Sequence, residues 1–178
     1  MLVIKTMIHE TIWGGEKLTP YSGTDNKKIG HLYSLISNGE LESEILNGEL
    51  KGQKFRKYFD ENKERFGLSK YKEFPFLLAL VDATDDLSLQ VHPNDEMAKK
   101  LENAPFGKNE SWYFLDAPKS GEIFDGCKAK SSQELREKVA QNKYDDVIDY
   151  LEVKSGDYVY IEAGTMHAMA AEIGRASC

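Results

Sequence analysis

Cysteine is nearly absent from this sequence. Cys127 and Cys178 are the only two among 178 residues, and the second is the last residue. A disulfide framework is therefore not expected, and a reducing cytoplasm is the expected compartment. Positive charge is also short: 23 Lys+Arg stand against 30 Asp+Glu, for a formal net charge of −7. Such a surface repels phosphate backbones, so neither nucleic acid nor an anionic membrane is an expected partner. Long apolar runs are missing. The longest, at residues 74–81, falls well below the ~20 residues that cross a bilayer, and the opening MLVIKTMIHE lacks the regions of a signal peptide. Internal repeats and low-complexity stretches are missing as well. What is present suffices for a core, with 40% hydrophobic and 11% aromatic residues, and the length suits one domain or one domain with a small insertion.

Short apolar runs at 1–4, 31–36 and 41–46 alternate with turn signals (Trp13-Gly14-Gly15, Ser37-Asn38-Gly39, Asn47-Gly48), the rhythm of short antiparallel strands. Over 50–72, Leu50, Phe55, Tyr58, Phe59, Phe66 and Leu68 sit among charges at roughly helical spacing, which predicts one or two surface helices. FPFLLALVDA and LSLQVHP then read as two buried strands. Asn94 or Asp95 can cap a helix over 94–104, with Met97, Ala98 and Leu101 as its inward stripe. Residues 110–116 and 121–127 are strand-like, and Ser131 or Ser132 with Glu134 opens a helix to about 142. The segment 147–169 holds two or three further strands. The plan is mainly antiparallel β with helices set into it.

The four histidines differ in context. His9, with no second ligand in its neighbourhood, and His31, at a strand start, read as surface or satisfied core histidines. His92 lies two residues after Gln90 on a strand that Pro93 ends. A period of two puts Gln90 and His92 on one face and turns Leu89 and Val91 into the packing layer. His167 follows the turn Gly164-Thr165-Met166 among small apolar residues. Two histidines from separate strands plus a carboxylate make an N/O ligand set suited to Zn²⁺, and also to Fe, Mn or Ni. Glu110, opening a strand of bulky residues, is either that carboxylate or an exposed strand-entry residue. Trp13-Gly14-Gly15 is either a place of close ligand approach or a turn capped by a packed tryptophan.

The order W-G-G, Q-V-H-P-N-D, G-K-N-E-S-W-Y and A-G-T-M-H-A resembles the type I mannose-6-phosphate isomerase family in its short bacterial form, over residues 8–169. The last strands also resemble the second cupin motif, with Glu162 where a proline is usual. The resemblance implies a cupin-type (jelly-roll) antiparallel β-barrel with helical insertions. It implies one Zn²⁺ per chain, held at positions that fall on Gln90, His92, Glu110 and His167. Lys108 falls on the family's active-site lysine, while Ser88 and Trp13 fall on substrate-pocket positions. Ala79 stands where family members usually carry a lysine. Family chains continue beyond the last histidine with further barrel strands and an arginine, so residues 1–178 are expected to form a single cupin-like domain without the C-terminal cupin portion. Residues 170–178 depart from the family pattern, and the arginine's role is not carried over to Arg175.

The implied activity is interconversion of mannose 6-phosphate and fructose 6-phosphate by a cytoplasmic monomer or weak homo-oligomer whose partner is a small sugar phosphate. Aldose–ketose isomerisation moves a proton between adjacent carbons, and a divalent metal eases this by polarising the sugar oxygens. The alternative is a non-catalytic, metal-containing cupin that binds a sugar or sugar phosphate. An iron oxygenase is disfavoured by the glutamine ligand, since that chemistry uses a 2-His-1-carboxylate triad.

Overall fold

The computed structural model describes residues 1–38, 40–171 and 173–177. Gly39 of the expected Ser37-Asn38-Gly39 turn, and Cys178, lie outside the described residues. The chain forms two compact units, residues 1–81 and 82–177. It is mainly β, its strands pair antiparallel, and its helices are short.

In the first unit, β1 (Met7–Gly15) pairs with β2 (Ile29–Leu35), and β2 with β3 (Leu78–Ala83), whose final residues open the second unit. Helix α1 (Thr19–Ser22) lies between β1 and β2. The first strand is thus not at residues 1–4, where only Ile4 forms an isolated bridge, to Ile45. The segment 41–46 likewise makes isolated bridges rather than a strand. Trp13-Gly14-Gly15 ends β1 instead of turning. A Cβ on Gly14 would stand 2.6 Å from the Gly30 nitrogen, so glycine is needed here because two backbones nearly touch. His9 and His31, unrelated in sequence, are cross-strand partners with rings stacked at 5.4 Å. His9 is exposed on β1, as a surface histidine is expected to be. Within 50–72 the helix is α2 (Phe55–Asn62), which buries Phe55 and Phe59, one turn apart, on one face. Both rings pack tilted or edge-on against Phe66 and Phe74, at 5.0–6.1 Å. A second apolar cluster joins Leu18, Ile29, Leu32 and Leu80.

The second unit carries β4 (Gln90–Val91), α3 (Asp95–Glu102), β5 (Glu110–Asp116), β6 (Glu122–Cys127), α4 (Ser132–Ala140), β7 (Ile148–Glu152), β8 (Tyr158–Ile161), β9 (Met166–Ala168) and β10 (Ile173–Ser177). These strands form two antiparallel sheets, β10-β5-β8 and β4-β9-β6-β7. Strand β5 alternates, with Trp112 and Phe114 buried inward and Tyr113 and Leu115 exposed. Helix α3 is capped by Asn94, whose side chain accepts from the Met97 N–H at 2.9 Å. Its expected inward stripe reduces to Ala98, because Leu101 is 66% exposed and Met97 also faces outward. An eight-residue helix bordered by loops has one narrow contact line, and here a small residue fills it. Ser131 caps α4 by accepting from Glu134 N–H, and Glu134 in turn accepts from Lys130 N–H.

Candidate metal centre

The ligand candidates all belong to the second unit, and its two sheets bring them together. Strand β4 is only two residues long, yet it pairs Gln90 with His167 and Val91 with Met166 on β9. Its polar face is the inner one. Leu89 and Val91 (53% exposed) point outward rather than into a packing layer, contrary to the sequence expectation. The apolar face is the one turned to solvent. Glu110 opens β5 in the other sheet, opposite Ile161.

Three loops carrying the motif residues are fastened to one another. The Gly107 N–H donates to Asp95 Oδ1 at 2.8 Å and the Lys108 N–H to the Pro93 carbonyl at 3.0 Å. The Ala163 N–H donates to Asn109 Oδ1 at 2.9 Å and the Gly164 N–H to the His92 carbonyl at 2.8 Å. A Cβ on Gly107 would lie 2.1 Å from the Pro93 oxygen, so only glycine lets these loops meet. The residues of P-N-D, G-K-N-E and A-G-T-M-H-A thus share one fastening, which positions the candidate ligands they carry.

At the centre, Glu110 Oε2 lies 2.9 Å from His92 Nε2, 2.9 Å from Lys108 Nζ and 3.8 Å from His167 Nε2. Glu110 Oε1 accepts from the Trp112 indole N–H at 2.9 Å. Donor atoms of His92, Glu110 and His167 lie within 4.8 Å of one another, the one such His/Cys/Asp/Glu group among the described residues. Burial raises the cost of charging Glu110. The facing His167 ring, the Lys108 ammonium and the Trp112 indole N–H outweigh it and hold the carboxyl well below the usual carboxylate range. His92 is shifted down, first by burial and then by the Lys108 charge.

His167 is the most telling residue. It is 1% exposed, and the T-shaped Trp112 ring sits 5.7 Å away. Its Nδ1–H donates to the Thr165 carbonyl at 2.9 Å, which fixes the tautomer. Its Nε2 is buried without a hydrogen-bond partner and faces the Glu110 carboxylate. Burial opposes charging the ring, but Glu110 and the Thr165 carbonyl prevail and raise its pKa. An orphaned nitrogen facing a carboxylate at 3.8 Å calls for a cation between them, whether a proton or a metal. The Lys108 ammonium, 3.0 Å from His92 Nε2, already shows that a cation is welcome among these donors. Two imidazoles and a carboxylate therefore fit a divalent ion.

Gln90 lies across the ladder from His167, so the two side chains share a face. Ser88 is exposed in the stretch before β4. Trp13 belongs to the first unit, its ring edge-on to His31 at 5.2 Å. Ala79 is fully buried opposite Tyr33. Sequence reasoning missed Asp125, the partner of His167 on its other side. Its one visible signal was an acidic residue inside the apolar run of β6. Burial, then the charge of Asp149, pushes its carboxyl up against the opposing pull of His167.

Comparison with known proteins agrees with the motifs. The family model for the type I phosphomannose isomerase catalytic domain matches residues 1–123. The chain is 36% identical over 170 residues to a mannose-6-phosphate isomerase of Streptococcus mutans and 34% over 169 to the mannose-6-phosphate isomerase ManA of Bacillus subtilis. Each alignment covers 94% of this chain and 54% of the relative, so the chain spans about half the length of these relatives. The crystal structure of the mannose 6-phosphate isomerase from Bacillus subtilis superposes with a TM-score of 0.91 at 29% identity, covering 99% of this chain and 57% of that one.

Proposed function

The chain belongs to the type I phosphomannose isomerase family, and from that premise we propose that it carries the zinc-dependent centre of an aldose–ketose isomerase acting on mannose 6-phosphate and fructose 6-phosphate. Gln90, His92, Glu110 and His167 would hold one Zn²⁺. The observation that carries the reading is the convergence of His92, Glu110 and His167 around a buried, unpartnered imidazole nitrogen. When bound, the ion supplies Lewis-acid polarisation of the sugar's carbonyl and hydroxyl oxygens.

The chain's own residues supply the rest. Glu110 stays ionised and, through Lys108 and Trp112, fixes where positive charge sits. The side chain of Lys108 is 55% exposed while its ammonium stays within 3.0 Å of His92, so it can turn toward a substrate oxygen that gains negative charge. Thr165 holds His167 in one tautomer. We place the reaction in a reducing cytoplasm, where the exposed Cys127 remains a thiol.

A second reading, a metal-containing cupin that binds a sugar without turning it over, draws on Ala79. This position is closed over beside Tyr33 and offers no cation where the family usually has a lysine. A coupled assay of mannose 6-phosphate conversion, run while the chain is titrated with Zn²⁺, separates the two. Turnover that rises with bound metal supports the isomerase. Saturable sugar binding without turnover at full metal occupancy supports the binder.

A further inference from the structure

Strand β9 has a neighbour on each side. Gln90 of β4 faces His167 from one side, and Asp125 of β6 faces it from the other. Directly opposed residues of an antiparallel ladder project from the same face with Cβ atoms about 4.5–5.5 Å apart. Gln90, His167 and Asp125 therefore form one row on the face that carries the metal centre. The placement is built into the strand. Between Phe124 and Cys127 the β6–β7 register slips, and Gly126 takes a φ of +107° there. This leaves Phe124 and Asp125 in step with Ala168 and His167.

The charges around the centre make that position consequential. Glu110 brings one negative charge, and the Lys108 ammonium that meets it at 2.9 Å stands on the same donor atoms an ion would use. His92, His167 and Gln90 add no negative charge. A divalent ion among these groups would meet a single carboxylate and keep a net positive charge in a half-buried setting, which is costly. Asp125 is half-buried and, among the described residues, makes no hydrogen bond or ion pair. The nearby Asp149 is exposed and faces Lys128 at 3.8 Å. Asp125 is not one of the three groups whose donor atoms cluster within 4.8 Å, which sets it outside direct coordination.

We propose that Asp125 is an outer carboxylate of this metal centre, a positioning residue whose charge beside His167 strengthens the hold on a divalent cation. The inference rests on the metal-centre reading above and adds to it a residue that the family motifs do not mark.

Zn²⁺ affinity, measured by competition against a chromophoric chelator, together with the absorption bands of the Co²⁺-loaded chain, tests it in wild type, D125N, D125S, D125E and D149N. Loss of an outer partner weakens metal binding by roughly 10–100-fold, and D125N and D125S are expected to fall in that range with the Co²⁺ band pattern unchanged. D125E keeps an affinity within about threefold of wild type, because it retains the charge, and D149N matches wild type. Neutral variants that bind as tightly as wild type overturn the proposal. So does a Co²⁺ spectrum that changes as for a lost ligand, or an equal loss in D149N. Should wild type itself bind no metal in the same titration, the metal-centre reading fails first and takes this inference with it.

Discussion

His167 gives its two ring nitrogens different tasks. Nδ1 is committed to the Thr165 carbonyl, and Nε2 waits for a cation beside Glu110. A proton and a metal compete for that second nitrogen, and the raised pKa of His167 extends the competition into the neutral range. Metal affinity is therefore predicted to fall as pH is lowered from about 8 to about 6, by up to about tenfold per pH unit where one proton is displaced. Zn²⁺ titrations across that range check it, and a flat profile counts against the assigned tautomer. For the metal-free chain the sign reverses. The raised His167 pKa contributes stability that is present below the unfolded value and lost as pH rises through the folded one. The depressed Glu110 pKa contributes stability that is present above the ordinary carboxylate value and lost as pH falls toward the folded one. Thermal melts of the chelated chain should accordingly show a sloping loss of stability above neutrality that bound metal abolishes.

Among the elements, the short connections do as much as the strands. The loop that brings Lys108 and Glu110 to the centre passes so close to Pro93 and Asn94 that Gly107 has no room for a methyl group. Gly107→Ala is expected to cost about 1–3 kcal/mol, as overpacking does. It should also weaken metal binding, because the same loop positions a ligand; a melt and a metal titration on one preparation test both. Helix α2 poses a different case. Phe59 is fully buried against Phe66 and Phe74, and Phe59→Ala should cost about 3–5 kcal/mol. A variant that melts within 1 °C of wild type, against a shift of several degrees expected for about 1 kcal/mol, would mean the aromatic cluster contributes little.

At the scale of the molecule, the second unit holds the whole candidate ligand set, and the chain spans about half the length of the curated relatives it matches. The candidate ligands could be named from the sequence because they lie inside compact motifs that carry the family resemblance, which singled out Glu110 where spacing alone left it open. The motif neighbours do local work, with Asn94 capping a helix, Gly107 permitting a close approach and Thr165 accepting from His167. The strands 110–116 and 121–127 and the helix after Ser131 were legible from the residues alone, since alternation and capping are local signals. What escaped was non-local. Asp125 gains its meaning only from the β6–β9 register, and His9 only from β2. The 41–46 segment has a strand's composition but only isolated bridges. Met97 and Leu101 have the spacing of a buried stripe on a helix that buries only Ala98.

The most direct test of the central claim is metal stoichiometry on chain prepared without chelator, with His167→Ala beside it. About one equivalent of Zn²⁺ per wild-type chain, absent from the variant, is the predicted result for a single N/O site. Less than about a tenth of an equivalent in wild type, or full retention in His167→Ala, would contradict it.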